Sequence, residues 1–131
     1  MKKSGILNQP IAAVIAGMGH TDTLVIGDAG LPIPAGPARI DLALTPGTPA
    51  FLDVLAAVLG DLKVERAIVA TEMLAANPAV YAALRQLLGD VPVETVPHTE
   101  FKQQTRSAQA VVRTGEFTHY ANIILVAGVI F

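Results

Sequence analysis

The sequence predicts an α/β protein, a three-layer α/β/α sandwich around a central, mostly parallel sheet. Three observations carry this. Short runs rich in Val and Ile alternate along the chain with amphipathic stretches, the pattern of strand and helix in turn. Several strand-like runs are continuously apolar, so both faces of the sheet are expected to be covered. Two dipeptides, Thr48-Pro49 and Asn77-Pro78, have the composition of helix starts, a capping side chain followed by a proline at the first helical position.

In chain order, Asn8 reads as an N-cap with Pro10 close behind, leading a short helix through Ile15. Thr23 to Gly27 is a buried strand, and Ile40 to Leu44 a second strand with Asp41 inside it. Thr48 caps the next helix, whose apolar stripe is Phe51, Leu55, Val58 and Leu59. Arg66 to Ala70 is the third strand. Asn77 and Pro78 start a helix that runs to Leu88 and ends at Gly89. Val93 to Val96 is a strand, Thr99 to Gln104 one or two helical turns, and Ala110 to Thr114 and Ile123 to Val126 the last strands. No long helix separates that last pair, which leaves an antiparallel arrangement open. Strand order is not legible.

Residues 1–131 form one domain, with no repeat, linker or low-complexity tract. Hydrophobic residues make up 52% of the chain and charged ones 15%, which excludes disorder. So little polar surface implies that some apolar surface is buried against other copies. The net charge is −2 with scattered lysines and arginines, so no basic patch exists for nucleic acid. Cysteine is absent, which removes disulfide and thiol chemistry. The apolar stretch Ile11 to Met18 is short and is separated from Lys2 and Lys3 by Asn8, Gln9 and Pro10, unlike a signal peptide. Ile123 to Phe131 is too short to cross a bilayer. A soluble cytoplasmic protein is expected, with no membrane partner.

Chemistry-bearing residues concentrate in four places. Gly17, Gly19, His20 and Asp22 lie before the first strand; the glycines put His20 on a tight turn. An imidazole there can both donate and accept a proton near neutrality, or it merely caps a backbone group. Asp28 directly follows the first strand, with Gly30, Pro32 and Pro34 behind it. Ligands collect beyond the carboxyl ends of strands in open α/β sheets, but an aspartate also stabilises its own turn. His98 stands at a strand-to-helix junction beside Thr99, a possible cap, and Lys102 follows one turn later on roughly the same face; capping and a solvated helix surface are the plainer readings of the pair. Tyr120 and Asn122, just before the last strand, offer neutral hydrogen-bonding groups suited to sugar hydroxyls, or form an ordinary turn. The glycines at 17 and 19 are no dinucleotide fingerprint, since the third glycine is missing and the turn precedes a strand. No phosphate-binding loop, nucleophile elbow or zinc spacing occurs. No metal site is expected.

Taken together, Gly19 to Thr23, Asp28 to Pro34, Phe101 to Thr105 and Tyr120 to Leu125 resemble the D-ribose pyranase family. The start, Met1 to Lys3 with Gly5, Leu7 and Asn8, and the end, Ala127 to Val129 with Phe131, share the likeness. The related L-fucose mutarotases share the turn around His20, whereas the Asp28-to-Pro34 block and the stretch from Phe101 are closer to the ribose branch. Leu74 to Val93 carries no family signature and reads as a packing helix. The resemblance implies interconversion of the pyranose and furanose forms of D-ribose without a cofactor. It implies that His20 is the catalytic acid/base and that Asp28, His98, Tyr120 and Asn122 bind the sugar, with Lys102 joining them. It also implies a ring-like homo-oligomer, a decamer of two stacked pentamers with sites at subunit contacts. The alternative is a non-catalytic ribose-binding accessory protein of sugar uptake, which would use the same polar residues. A purely structural ring-forming protein would leave them unexplained.

Overall fold

The computed structural model describes residues 1–131. Helix α1 spans Gln9–Gly17 and is followed by strands β1, Thr23–Gly27, and β2, Ala38–Asp41. Helix α2, Phe51–Asp61, leads to β3, Val64–Ala70, then helices α3, Thr71–Ala76, and α4, Pro78–Leu88. Strand β4, Val93–Val96, precedes α5, His98–Gln104, and a 3-10 turn over Thr105–Ser107; β5, Ala110–Arg113, and β6, Ile123–Ala127, complete the chain.

The six strands form one sheet in the order β2-β5-β1-β6-β3-β4. β5 runs parallel to both β1 and β2, and β3 runs parallel to β4. β6 is antiparallel to its neighbours β1 and β3. Five strands therefore point one way and β6 alone points back. β5 and β6 do run in opposite senses, but β1 lies between them.

Alternation along the strands divides the core in two. Leu24, Ile26, Val112, Ile123 and Leu125 face α2 and α4, with Phe51, Leu55 and Leu84 packed against them. Val25, Ile68, Val111, Ile124 and Val126 face the other way, onto Phe101 of α5 and Leu31. The central strands are covered on both faces, which is why they are apolar throughout. The layers are unequal: 22 buried residues on the α2–α4 side against 8 on the α5 side. One short helix therefore closes the second face, and its position matters for the site.

Several expected boundaries move, each for a reason visible in the hydrogen bonding. Asn8 does cap α1, its Oδ1 accepting from the Ile11 amide at 3.1 Å, but the helix continues past Ile15 to Gly17. β2 starts at Ala38 and stops at Asp41 rather than running from Ile40 to Leu44; Asp41 Oδ1 turns back to accept from the Ala43 amide. α2 does not start at Thr48-Pro49. Thr48 is committed to a tight turn with Thr45, its peptide bond to Pro49 is cis, and the helix begins at Phe51. The Phe51 amide finds its acceptor in Glu116 Oε2, 65 residues away. β3 begins two residues early, at Val64, and α3 fills the segment between β3 and Asn77, of which only Leu74 to Ala76 fell within the expected packing helix. Asn77 holds the cap position of α4, but its side chain does not cap. Its Nδ2 instead donates to Thr118 Oγ1 at 2.8 Å and to the His119 carbonyl at 2.9 Å. Thr99 caps nothing: α5 already begins at His98, whose amide donates to Glu72 Oε2 at 2.8 Å.

Candidate active site

At the end of β1 the chain leaves the sheet through Gly27. A Cβ here would lie 2.6 Å from Leu31 Cδ2 and 3.0 Å from Asn122 Oδ1, so only glycine lets Asn122 approach this closely. Asp28 follows, and it is bound to Asn122 twice. The Asp28 amide donates to Asn122 Oδ1 at 2.8 Å, and Asn122 Nδ2 donates to Asp28 Oδ2 at 2.9 Å. Asp28 Oδ1 also accepts from the Gly30 amide. Asn122 is 1% exposed, so a rigid amide sets the position of the carboxylate.

The reversal of β6 makes this pair possible. Asn122 precedes β6, and because β6 is antiparallel its entrance lies beside the exit of β1. His98 is delivered to the same end by β4 through Pro97. Its ring stacks on Phe101 at 6.1 Å and meets Tyr120 edge-on at 5.1 Å. Burial and the nearby Lys102 ammonium hold its pKa below the ordinary histidine value, which favours the neutral ring. Its Nδ1 is buried and has no hydrogen-bond partner in the chain. Tyr120 takes a left-handed backbone, φ 55°, a conformation uncommon outside glycine and frequent at functional sites.

These groups border a cavity of about 430 Å³ that includes Asp28, His98, Tyr120 and Asn122, within the size range of small-molecule sites. The cavity also holds Arg113, Glu116 and Phe117, which the sequence did not single out. Arg113 Nε donates to the Ala29 carbonyl at 3.0 Å, and its Nη1 contacts both oxygens of Asp41. Those contacts fix the guanidinium at the cavity wall. The Asp41 carboxyl lies below the usual range, chiefly through the Ala43 amide and then Arg113. Glu116 is structural: Oε2 accepts from the Phe51 amide, and Oε1 accepts from the amide and hydroxyl of Thr118. Arg113 is foreshadowed only as a charge closing an apolar strand; Glu116 and Phe117 leave no such signal.

Two expected site residues stand apart. Lys102 does not border the cavity; it acts on the charge state of His98. His20 lies at the opposite end of the sheet, before β1, whereas Asp28 lies after it. The five residues of β1 span about 17 Å at the usual strand rise. Within one chain Asp28 therefore does not orient His20. The His20 Nε2 instead lies 2.7 Å from Glu65 Oε2, at the start of β3. His20 and Glu65 are both part-exposed, at 53% and 38% of their side-chain area. No three His, Cys, Asp or Glu side chains gather where they could hold a metal ion, and no helix is long and apolar enough to cross a membrane.

Residues 1–130 match the RbsD / FucU transport protein family. The D-ribose pyranase of Laribacter hongkongensis is 58% identical over 131 residues and that of Symbiobacterium thermophilum 60% over 131, each alignment covering the whole of both chains. Among solved structures, Bacillus subtilis RbsD complexed with D-ribose superposes with a TM-score of 0.97 at 50% identity over the whole of both chains. The fucose mutarotase of Streptococcus pneumoniae in complex with L-fucose gives a TM-score of 0.81 at 21% identity over 95% of each chain, a likeness of fold.

Proposed function

The chain belongs to the RbsD / FucU transport protein family, and from that membership we propose that it is a sugar mutarotase. It interconverts the pyranose and furanose forms of D-ribose by acid/base opening and closure of the ring. The observation that carries the reading is end-to-end identity with proteins named D-ribose pyranase, joined to a cavity in which Asp28 and Asn122 form a preset pair.

The reaction needs two proton movements. The anomeric hydroxyl loses a proton as the bond from the anomeric carbon to the ring oxygen breaks, and that oxygen gains one. The open aldehyde rotates, and a different hydroxyl attacks it. The new ring oxygen then gives up its proton and the carbonyl oxygen takes one back, so nothing is consumed. His20 is the proposed acid/base. Proton transfer of this kind contributes about a hundred- to ten-thousand-fold. Asp28, Asn122, Tyr120 and His98 hold the hydroxyls, and Lys102 tunes His98 from behind. No cofactor takes part.

His20 and the cavity lie at opposite ends of the sheet, so in this proposal each site is shared. His20 of one copy serves the cavity of another, in a ring-like homo-oligomer, a decamer of stacked pentamers. Support comes from the exposed apolar side chains Leu7, Leu44, Phe117, Ile130 and Phe131, which a neighbouring copy would cover. The protein works in the cytoplasm, in ribose utilisation.

The test is exchange between the anomeric protons of ribopyranose and ribofuranose, followed by NMR saturation transfer. His20→Ala and Asp28→Asn should each be inactive, and His20→Ala should still bind ribose. Co-refolding the two variants should restore exchange, because mixed oligomers contain sites with both residues intact. Exchange that persists in His20→Ala would remove His20 from the chemistry. Mixed oligomers that stay silent would place each site within one chain. Binding by the unaltered protein without exchange would favour the accessory sugar-binding reading.

A further inference from the structure

The turn that carries His20 is built with strain and tied down at several points. Thr21 has φ 70°, a left-handed backbone that a β-branched residue adopts only when its surroundings force it. Its amide donates to the Ala127 carbonyl at 2.9 Å, and the Ala127 amide donates to the Asp22 carbonyl at 2.8 Å. Asp22 Oδ2 closes the turn by accepting from the Gly19 amide at 2.8 Å.

Glu65 reaches the same place by a separate irregularity. In the β3–β6 ladder Val64 pairs with Ala127 and Arg66 with Val126, so Glu65 is the extra residue of a bulge. Bulges re-aim side chains, and they are frequent beside active sites. Gly128 makes room for it: a Cβ there would lie 3.0 Å from Glu65 Cβ and 3.4 Å from its amide nitrogen. The Gly128 amide anchors this stretch on the Lys63 carbonyl at 2.8 Å. Two adjacent residues, Ala127 and Gly128, thus hold the His20 turn on one side and the Glu65 bulge on the other. The outcome is the 2.7 Å contact between His20 Nε2 and Glu65 Oε2. Exposed ion pairs add little to stability, so folding alone gives no reason for a strained turn and a bulge to converge on one.

We propose that Glu65 is a positioning residue for His20, and the proposal rests on the acid/base role given to His20 above. The carboxylate accepts the proton on Nε2 and so fixes the tautomer of the neutral ring, as the partner of one imidazole nitrogen generally does. Nδ1 is left as the nitrogen presented to the sugar. Unprotonated, it takes the proton of the anomeric hydroxyl; protonated, it gives one to the ring oxygen, and the carboxylate stabilises the cationic ring between the two events.

The experiment uses the full-length assembled protein, labelled with ¹⁵N on histidine, with Glu65→Ala, Glu65→Gln and His20→Ala alongside. In the unaltered protein the neutral His20 ring should carry its proton on Nε2. Glu65→Ala should give a mixture of tautomers. Its kcat for ring exchange should fall at least about tenfold, by analogy with the ten- to hundredfold lost when the orienting partner of a metal-bound histidine is removed, with KM for ribose within about twofold because the cavity is untouched. Glu65→Gln keeps an oxygen that accepts from Nε2 and should recover the single tautomer and part of the rate. A proton found on Nδ1 in the unaltered protein overturns the proposal, and that measurement needs no variant to fold. If His20→Ala is inactive while Glu65→Ala exchanges ribose at the unaltered rate, the Glu65 proposal alone falls. If His20→Ala keeps exchanging ribose, the role of His20 falls first and that of Glu65 with it.

Discussion

The Asp28–Asn122 pair offers a test of how the cavity is organised. Asn122→Ala removes both of its hydrogen bonds. A bond between neutral groups is worth about 1 kcal/mol and one to a charged group about 1.5–3 kcal/mol, so roughly 2.5–4 kcal/mol of anchoring is lost. The Asp28 loop can relax and water can enter, so only part of this reaches the ligand. The expected loss of ribose affinity is about ten- to hundredfold, at roughly 1.4 kcal/mol per factor of ten. Asn122→Asp is isosteric and keeps the acceptor for the Asp28 amide. It replaces the Nδ2 donor with a second carboxylate oxygen facing Asp28 Oδ2. Two charges about 4 Å apart repel by at most about 4 kcal/mol at an effective dielectric of 20. Asn122→Asp should therefore bind ribose more weakly than Asn122→Ala at about pH 8, and regain affinity toward about pH 5 as the two carboxylates share a proton. Calorimetric titration with ribose across that range measures both effects, with circular dichroism to establish that the variants are folded. Unaltered affinity in Asn122→Ala, or pH-independent affinity in Asn122→Asp, would refute the claim that this pair presets the site.

Two further outcomes follow from single groups. His98 has a pKa lowered by burial and by Lys102, so below the unfolded value the unfolded chain binds more protons than the folded one. Its contribution to stability should be complete above about pH 6.5 and fall as the pH drops toward the folded-state value; urea melts of His98→Phe should lose that part of the acid slope. Gly115→Ala would drive a Cβ into the backbone of Thr48, in the turn before α2. Overpacking of this kind costs about 1–3 kcal/mol, and a lower urea midpoint with weakened ribose binding is expected, because the adjacent Glu116 holds both the Phe51 amide and Thr118; an unchanged midpoint would show that the turn yields freely.

What was legible in the sequence tracks what is locally encoded. Thr23 to Gly27 and Val93 to Val96 are strands with the expected bounds, because short runs rich in β-branched residues between turn signals specify them. The run from Pro78 to Leu88 is a helix ending at Gly89, where the chain takes φ 58°. Failures occur where distant residues decide. Thr48-Pro49 has the local chemistry of a helix start, but Gly115 and Glu116 pull that segment into a turn and supply the cap from elsewhere. Asn77 has the chemistry of a cap, but Thr118 and His119 compete for its amide. At the site, residue type and place in the chain marked Asp28, His98, Tyr120 and Asn122 as candidates, the family resemblance singled them out as sugar-binding, and the fold brings those four to one cavity. Arg113 and Glu65 could not be marked in this way: one closes an apolar strand, and the other becomes notable only through a bulge that no local pattern announces.

The direction of β6 links fold to function. Ligand sites in open α/β sheets lie beyond the carboxyl ends of strands, and β1, β4 and β5 deliver Asp28, His98 and Arg113 to that end in the usual way. A sixth parallel strand would have delivered Asn122 to the opposite end, beside His20, leaving Asp28 without its partner. Reversing β6 brings Tyr120 and Asn122 to the cavity and carries Ala127 and Gly128 to the far end, where they brace the His20 turn and the Glu65 bulge. One strand thus supports both halves of the proposed chemistry and, by its length, holds them apart. That separation is why a single copy presents the cavity at one end and the His20 imidazole at the other, and why the proposed reaction depends on a second copy to bring them together.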